Sequence, residues 1–76
     1  MALTPTAEMG RNVRAEMARA GVSQSALADR VGLSQSGLSK RLRGAVPFDI
    51  NEAHAIALAL NVDVHTLLPT PQAVAS

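Results

Sequence analysis

The stretch from Gln35 to Arg43 holds the side chains best suited to chemistry. Wound as an α-helix at about 100° per residue, it puts Gln35, Ser36, Ser39, Lys40 and Arg43 on one arc and leaves Leu38 and Leu42 off it. That arc carries amide, hydroxyl and cationic groups and no acid. A Gln amide can pair bidentately with the edge of an adenine, and a Lys or Arg with a guanine, when such a helix lies in a major groove. The ordinary alternative is a solvated helix face, but such faces usually include Glu or Asp. Charge along the chain points the same way. Lys and Arg number seven against six acids, a net charge of +1, but the balance is uneven. Lys40, Arg41 and Arg43 fall in an acid-free span, residues 35–48, and no Lys or Arg follows Arg43. A basic block between more acidic ends suits an anionic partner surface.

Other chemistries find little support. His54 and His65 lie eleven residues apart with no cysteine anywhere in the chain, so they read as surface histidines and not as metal ligands or general bases. Serines are numerous, but no Ser-His-Asp arrangement and no Gly-rich phosphate loop with Lys is present. No catalytic, metal or cofactor-binding residue, no small-molecule ligand and no enzyme activity is expected.

The elements that position these groups are short helices with clear punctuation. A chain of 76 residues suffices for one small domain, and the missing cysteines leave helix packing to supply the stability. Thr4-Pro5 starts helix 1, on which Met9, Val13, Met17 and Ala20 recur at helical spacing up to Gly21. Ser23 caps a second helix with Leu27, Ala28 and Val31 on one face and Gly32 as its stop. Ser34 caps the third, which runs to about Arg43 with Gly44 beyond it. Asp49 and Glu52 form a capping box ahead of Ile50, Ala53, Ile56, Ala57 and Leu60, and Asp63 caps a last short turn that Pro69 ends. No strand pattern extends over more than a few positions. The expected fold is all-α: a compact five-helix bundle containing a helix-turn-helix, with the domain over residues 4–68 and a flexible C-terminal tail or linker start over 69–76. No apolar run is long enough to span a bilayer, and the N-terminus lacks the pattern of a secretory signal.

The segment Ser23 to Gly44, SQSALADRVGLSQSGLSKRLRG, resembles the Cro and lambda-repressor helix-turn-helix family, also called XRE-like. The resemblance extends over about Met9 to Leu68, since the Asn61-Val62-Asp63-Val64 step is similar to that family's link between its last two helices. It implies sequence-specific binding of double-stranded DNA by a transcriptional regulator, of the phage-repressor or Cro type, that acts by occupying an operator. The corresponding location is the cytoplasm of a bacterial cell or phage-infected host, with the nucleoid, and no membrane is involved. Carried over by position, Gln35, Ser36, Ser39 and Lys40 are the base readers. Ser23, Gln24, Ser34, Arg41 and Arg43 are the phosphate binders, and Gln24 also buttresses Gln35. Alternatives are an antitoxin-type regulator and a helical protein-interaction module that has lost DNA binding. A homodimer is a further option, through a patch of Leu58, Val64, Leu67 and Leu68.

Two positions depart from the family pattern. Where many members pair an Arg on helix 1 with a Glu near the end of the recognition helix, this chain has Met17 and Leu42, so apolar packing replaces an ion pair. Arg41 stands where an aliphatic residue is usual, with its stem expected to pack and its head to reach the surface. That leaves the rotation of helix 3, and the choice between Lys40 and Arg41 as a base reader, open at this point.

Overall fold

The computed structural model describes residues 3–70. Its helices are α1 (Pro5–Ala20), α2 (Gln24–Val31), α3 (Gln35–Leu42), α4 (Ile50–Leu60) and α5 (Val64–Leu67), with no strand among the described residues. Each begins at a side-chain cap. Thr4, Ser23, Ser34, Asp49 and Asp63 accept from the backbone N–H groups of Ala7, Ala26, Gly37, Glu52 and His65. A cap of this kind contributes about 1 kcal/mol by satisfying an otherwise orphan donor.

The ends of α1, α2 and α4 repeat one solution. Gly21, Gly32 and Asn61 take left-handed conformations, with φ of 67°, 72° and 56°. The residue after each, Val22, Leu33 or Val62, donates its N–H to the carbonyl five positions back at 3.0 Å and packs its half-buried side chain on the core. This is the Schellman arrangement, in which the reversed backbone both satisfies the last carbonyls and folds an apolar side chain inward. It makes the three-residue connections rigid, so neighbouring helices are docked by their own ends.

The core comprises Met9, Val13 and Met17 of α1, Leu27 and Ala28 of α2, Leu38 and Leu42 of α3, Ala53, Ile56, Ala57 and Leu60 of α4, and Leu67 of α5. Met17 and Leu42 both lie in it, consistent with apolar packing at the positions where the family pairs two charges. The buried acid of α1 is instead Glu16, which pairs with Arg19 on its own helix. Two apolar residues depart from expectation. Ala20 is exposed, and Ile50 is 65% exposed although its spacing put it with the core set. Ile50 is the first residue of α4; Phe48, just before the Asp49 cap, takes the inward place and packs on the cluster that contains Ala53.

Two contacts lock the two ends of the domain together. Asn12 donates from Nδ2 to the Leu67 and Leu68 carbonyls, each at 3.2 Å, which satisfies the end of α5. Glu8 accepts the Thr70 N–H at 2.9 Å, and this bond holds the Glu8 carboxyl below its ordinary range. The His65 N–H does the same for Asp63 at the start of α5. Of the expected tail, residues 71–76 lie outside the described residues. No helix among the described residues is long and apolar enough to cross a membrane.

Candidate nucleic-acid interface

The second helix, the turn and the third helix are built from the bottom up by three small residues. Gly32 supplies the left-handed turn, and nothing lies within 4 Å of where its Cβ would be, so its requirement is purely one of backbone angle. Ala28 is buried, and its carbonyl accepts the Leu33 N–H that closes the turn ahead of α3. Gly10 on α1 admits the far end of α3: a Cβ there would meet the Leu42 carbonyl oxygen at 2.4 Å and the Arg41 carbonyl oxygen at 2.9 Å. The C-terminal end of α3 thus rests directly on the backbone of α1, and Leu38, fully buried, fixes its rotation.

With that rotation, Gln35, Ser36, Lys40 and Arg43 are exposed and Ser39 is half-buried. Ser23 and Ser34 are spent as caps through their oxygen lone pairs, at 3.1 and 2.9 Å from Ala26 N and Gly37 N, which leaves each hydroxyl proton free to donate outward. Gln24 is half-buried, and its Nε2 donates to the main-chain carbonyl of Gln35 at 3.2 Å. The buttress expected between Gln24 and Gln35 is therefore present, but it holds the first residue of α3 by its backbone. The Gln35 amide reaches Ser25 Oγ at 3.5 Å, the outer limit of a hydrogen bond, and stays available at the surface.

Arg41 differs from expectation. Its head does not reach open surface. Nε donates to Glu52 Oε1 at 3.0 Å and Nη1 to the Gly37 carbonyl at 2.9 Å, so the guanidinium is turned onto α3's own backbone and the start of α4. The head expected at the surface among the phosphate binders is instead paired with an acid on α4. Lys40 is left as the outward cation of that turn. Sequence reasoning also missed Gly10 and Asn12. A glycine in mid-helix is a signal for close backbone approach; the Asn12 bonds, to residues 55 and 56 positions away, leave no local trace.

The remaining sequence candidates lie apart from this face. His54 and His65 are exposed beside a cavity of about 430 Å³ between α4 and α5, which Leu58 and Asp63 also line. His65 Nδ1 sits 2.7 Å from Asp63 Oδ1, and no cluster of metal-ligating residues occurs among the described residues. The apolar patch suggested for a homodimer does not form as expected. Leu58 is 83% exposed, but Leu67 is fully buried and Val64 packs against the core, because α5 turns its apolar side inward.

A family model described as a helix-turn-helix domain matches residues 8–69. The chain belongs to the helix-turn-helix domain family. No curated protein sequence matches it. Among solved structures this helix-turn-helix domain is similar to the restriction-modification controller protein C.AhdI from Aeromonas hydrophila, at 25% identity and a TM-score of 0.78, covering 83% of this chain and 96% of that one. It is similar to SinR, a master regulator for biofilm formation solved in complex with DNA, at 30% identity and a TM-score of 0.72, covering 78% of this chain and 95% of the other. A third likeness is to Streptomyces albus HEPD, at 35% identity and a TM-score of 0.75, covering 90% of this chain but 15% of that one. The five-helix fold and the resemblance to the Cro and lambda-repressor family are both borne out.

Proposed function

We propose that this domain binds double-stranded DNA sequence-specifically and regulates transcription as a repressor of the Cro type, by occupying an operator. The observation that carries the reading is the exposed, acid-free face of α3, whose first residue is anchored by Gln24. In this reading Gln35, Ser36, Ser39 and Lys40 meet base edges. Ser23, Gln24, Ser34 and Arg43 meet phosphates, helped by the free N–H groups and partial positive charge at the starts of α2 and α3. C.AhdI is a controller protein and SinR was solved on DNA, which supports the same assignment.

A second copy fits the outer face of α4. Ile50, His54 and Leu58, at i, i+4 and i+8, make an exposed ridge that is symmetrical about His54, so a twofold mate sets Ile50 against Leu58. Residues 44–76 contain no Lys or Arg, and the cation that reaches this end of α4 is Arg30, which donates to the Ala59 carbonyl at 3.4 Å. The HEPD likeness favours one rival, a helical module packed within a larger protein. Selection from a random duplex library separates the two. Enrichment of a common site, bound with a steep dependence on salt, supports the regulator; no retention of any duplex favours the module.

A further inference from the structure

Arg41 is a cation on the helix assigned to DNA, yet the structure keeps it from the surface. Its side chain is 20% exposed and its partner Glu52 15%, so the pair is screened less by solvent than surface ion pairs are. One oxygen, Glu52 Oε1, accepts from both Arg41 Nε and the Asp49 backbone N–H, each at 3.0 Å. The capping box of α4 is thereby the lock on a side chain of α3. The other side of the berth is Gly37, where an added Cβ would lie 3.4 Å from Arg41 Nη1 and 3.0 Å from Ser34 Oγ. The guanidinium lies on the Gly37 carbonyl, with Nη1 donating at 2.9 Å. Around α3, Arg41 stands about 100° past Lys40, outside the outward arc and turned toward the start of α4. Released from Glu52, its long stem and permanently charged fork suit a phosphate.

We propose that Glu52 withholds Arg41 from the DNA backbone and so acts as a specificity-determining residue that touches no DNA. A phosphate contact strengthens binding to every sequence alike, whereas base contacts strengthen it to one. With Arg41 held, α3 offers the backbone fewer cations and binding to unrelated DNA stays weak. The inference rests on the reading of α3 as the DNA-binding helix.

The test is a salt titration of binding to a random-sequence duplex and to the selected site, for wild type, Glu52→Gln, Arg41→Gln and the double variant. Glutamine at 52 keeps an oxygen for the Asp49 N–H and removes the charge. Each phosphate contact contributes about 0.9 to the log–log salt slope. Glu52→Gln is expected to steepen the slope on random DNA by about that amount and to narrow the ratio between specific and random binding. Arg41→Gln is expected to leave the slope at the wild-type value, and the double variant to return to it. A slope that falls by about 0.9 in Arg41→Gln, or that does not change in a folded Glu52→Gln, overturns the proposal. Should Glu52→Gln fail to fold, the Arg41→Gln slope decides alone. Wild-type protein that binds no duplex overturns the DNA reading itself, an outcome distinct from wild-type binding with unaltered variants.

Discussion

Gly10→Ala, an exchange that ordinarily strengthens a helix, is expected to weaken this one. In an exposed helix interior alanine is better than glycine by about 1 kcal/mol. At Gly10 the new Cβ would stand 2.4 Å from the Leu42 carbonyl oxygen, 2.9 Å from that of Arg41 and 3.0 Å from the Leu42 carbonyl carbon. Ordinary contact begins at 3.4 Å, so the end of α3 must retreat by about 1 Å, the difference between 3.4 and 2.4 Å. All three atoms are backbone, and none can swing aside as a flexible side chain would. The retreat also drags Leu38 and Leu42, both buried. Overpacking of a close-packed core costs roughly 1–3 kcal/mol and more where backbone must move. With three backbone contacts violated at once the cost should lie in the upper part of that range, and set against the propensity gain the net loss should be about 1–2 kcal/mol. For a domain of this size that is a fall in Tm of roughly 4–16 °C, read by far-UV circular dichroism during heating. A Gly10→Ala domain that melts at or above the wild-type temperature would refute the close packing of α3 on α1.

Gly32→Val should cost about 1 kcal/mol or more through backbone strain alone, since the site has open space but a φ of 72°; a thermal melt identical to wild type would count against the left-handed turn. In acid, the Glu8–Thr70 and Asp63–His65 bonds should fail. Both carboxyls are held below their ordinary range by backbone N–H donors, so what they contribute is complete above the unfolded value of about 4 and is lost as pH falls through the lower folded values. The amide resonances of Thr70 and His65 followed by NMR should titrate with midpoints below about 4, and midpoints above it would contradict these bonds. Arg43→Ala should weaken binding to all duplexes and reduce the salt slope by about 0.9, while Gln24→Ala should weaken binding with little change of slope because it carries no charge; equal slopes for Arg43→Ala and wild type would remove Arg43 from the backbone.

The features legible in the sequence are those set by neighbours along the chain. Thr4, Ser23, Ser34, Asp49 and Asp63 each cap the helix that follows within three residues, and Gly21, Gly32 and Asn61 reverse the chain where the apolar period stops. Because short caps and stops fix where every helix begins and ends, the five helices could be written down from the chain alone. The outward arc of α3 was legible for the same reason, since a helix of known phase must turn Leu38 inward. What escaped depends on approach between distant segments. Periodicity assigns Ile50 a direction but not a neighbour, and at the edge of the bundle it finds none. Leu67 reads as exposable in a short terminal helix, yet α1 and α4 cover it. Arg41 sits on a polar helix, but the acid that captures it lies eleven residues on, across a loop whose path no local rule sets.

The central claim is that α3 reads sequence through Gln35 and Lys40, and competition binding at fixed salt tests it most directly. The selected duplex is competed against random duplex for wild type, Gln35→Ala and Lys40→Ala. If the two side chains meet base edges, each loss should cost about 1–3 kcal/mol on the selected site, roughly five- to 150-fold, and much less on random DNA. The ratio of specific to random affinity then collapses. Contacts to phosphate alone would weaken both duplexes equally. A ratio unaltered by either substitution would contradict the account of α3 given by its exposed, acid-free face.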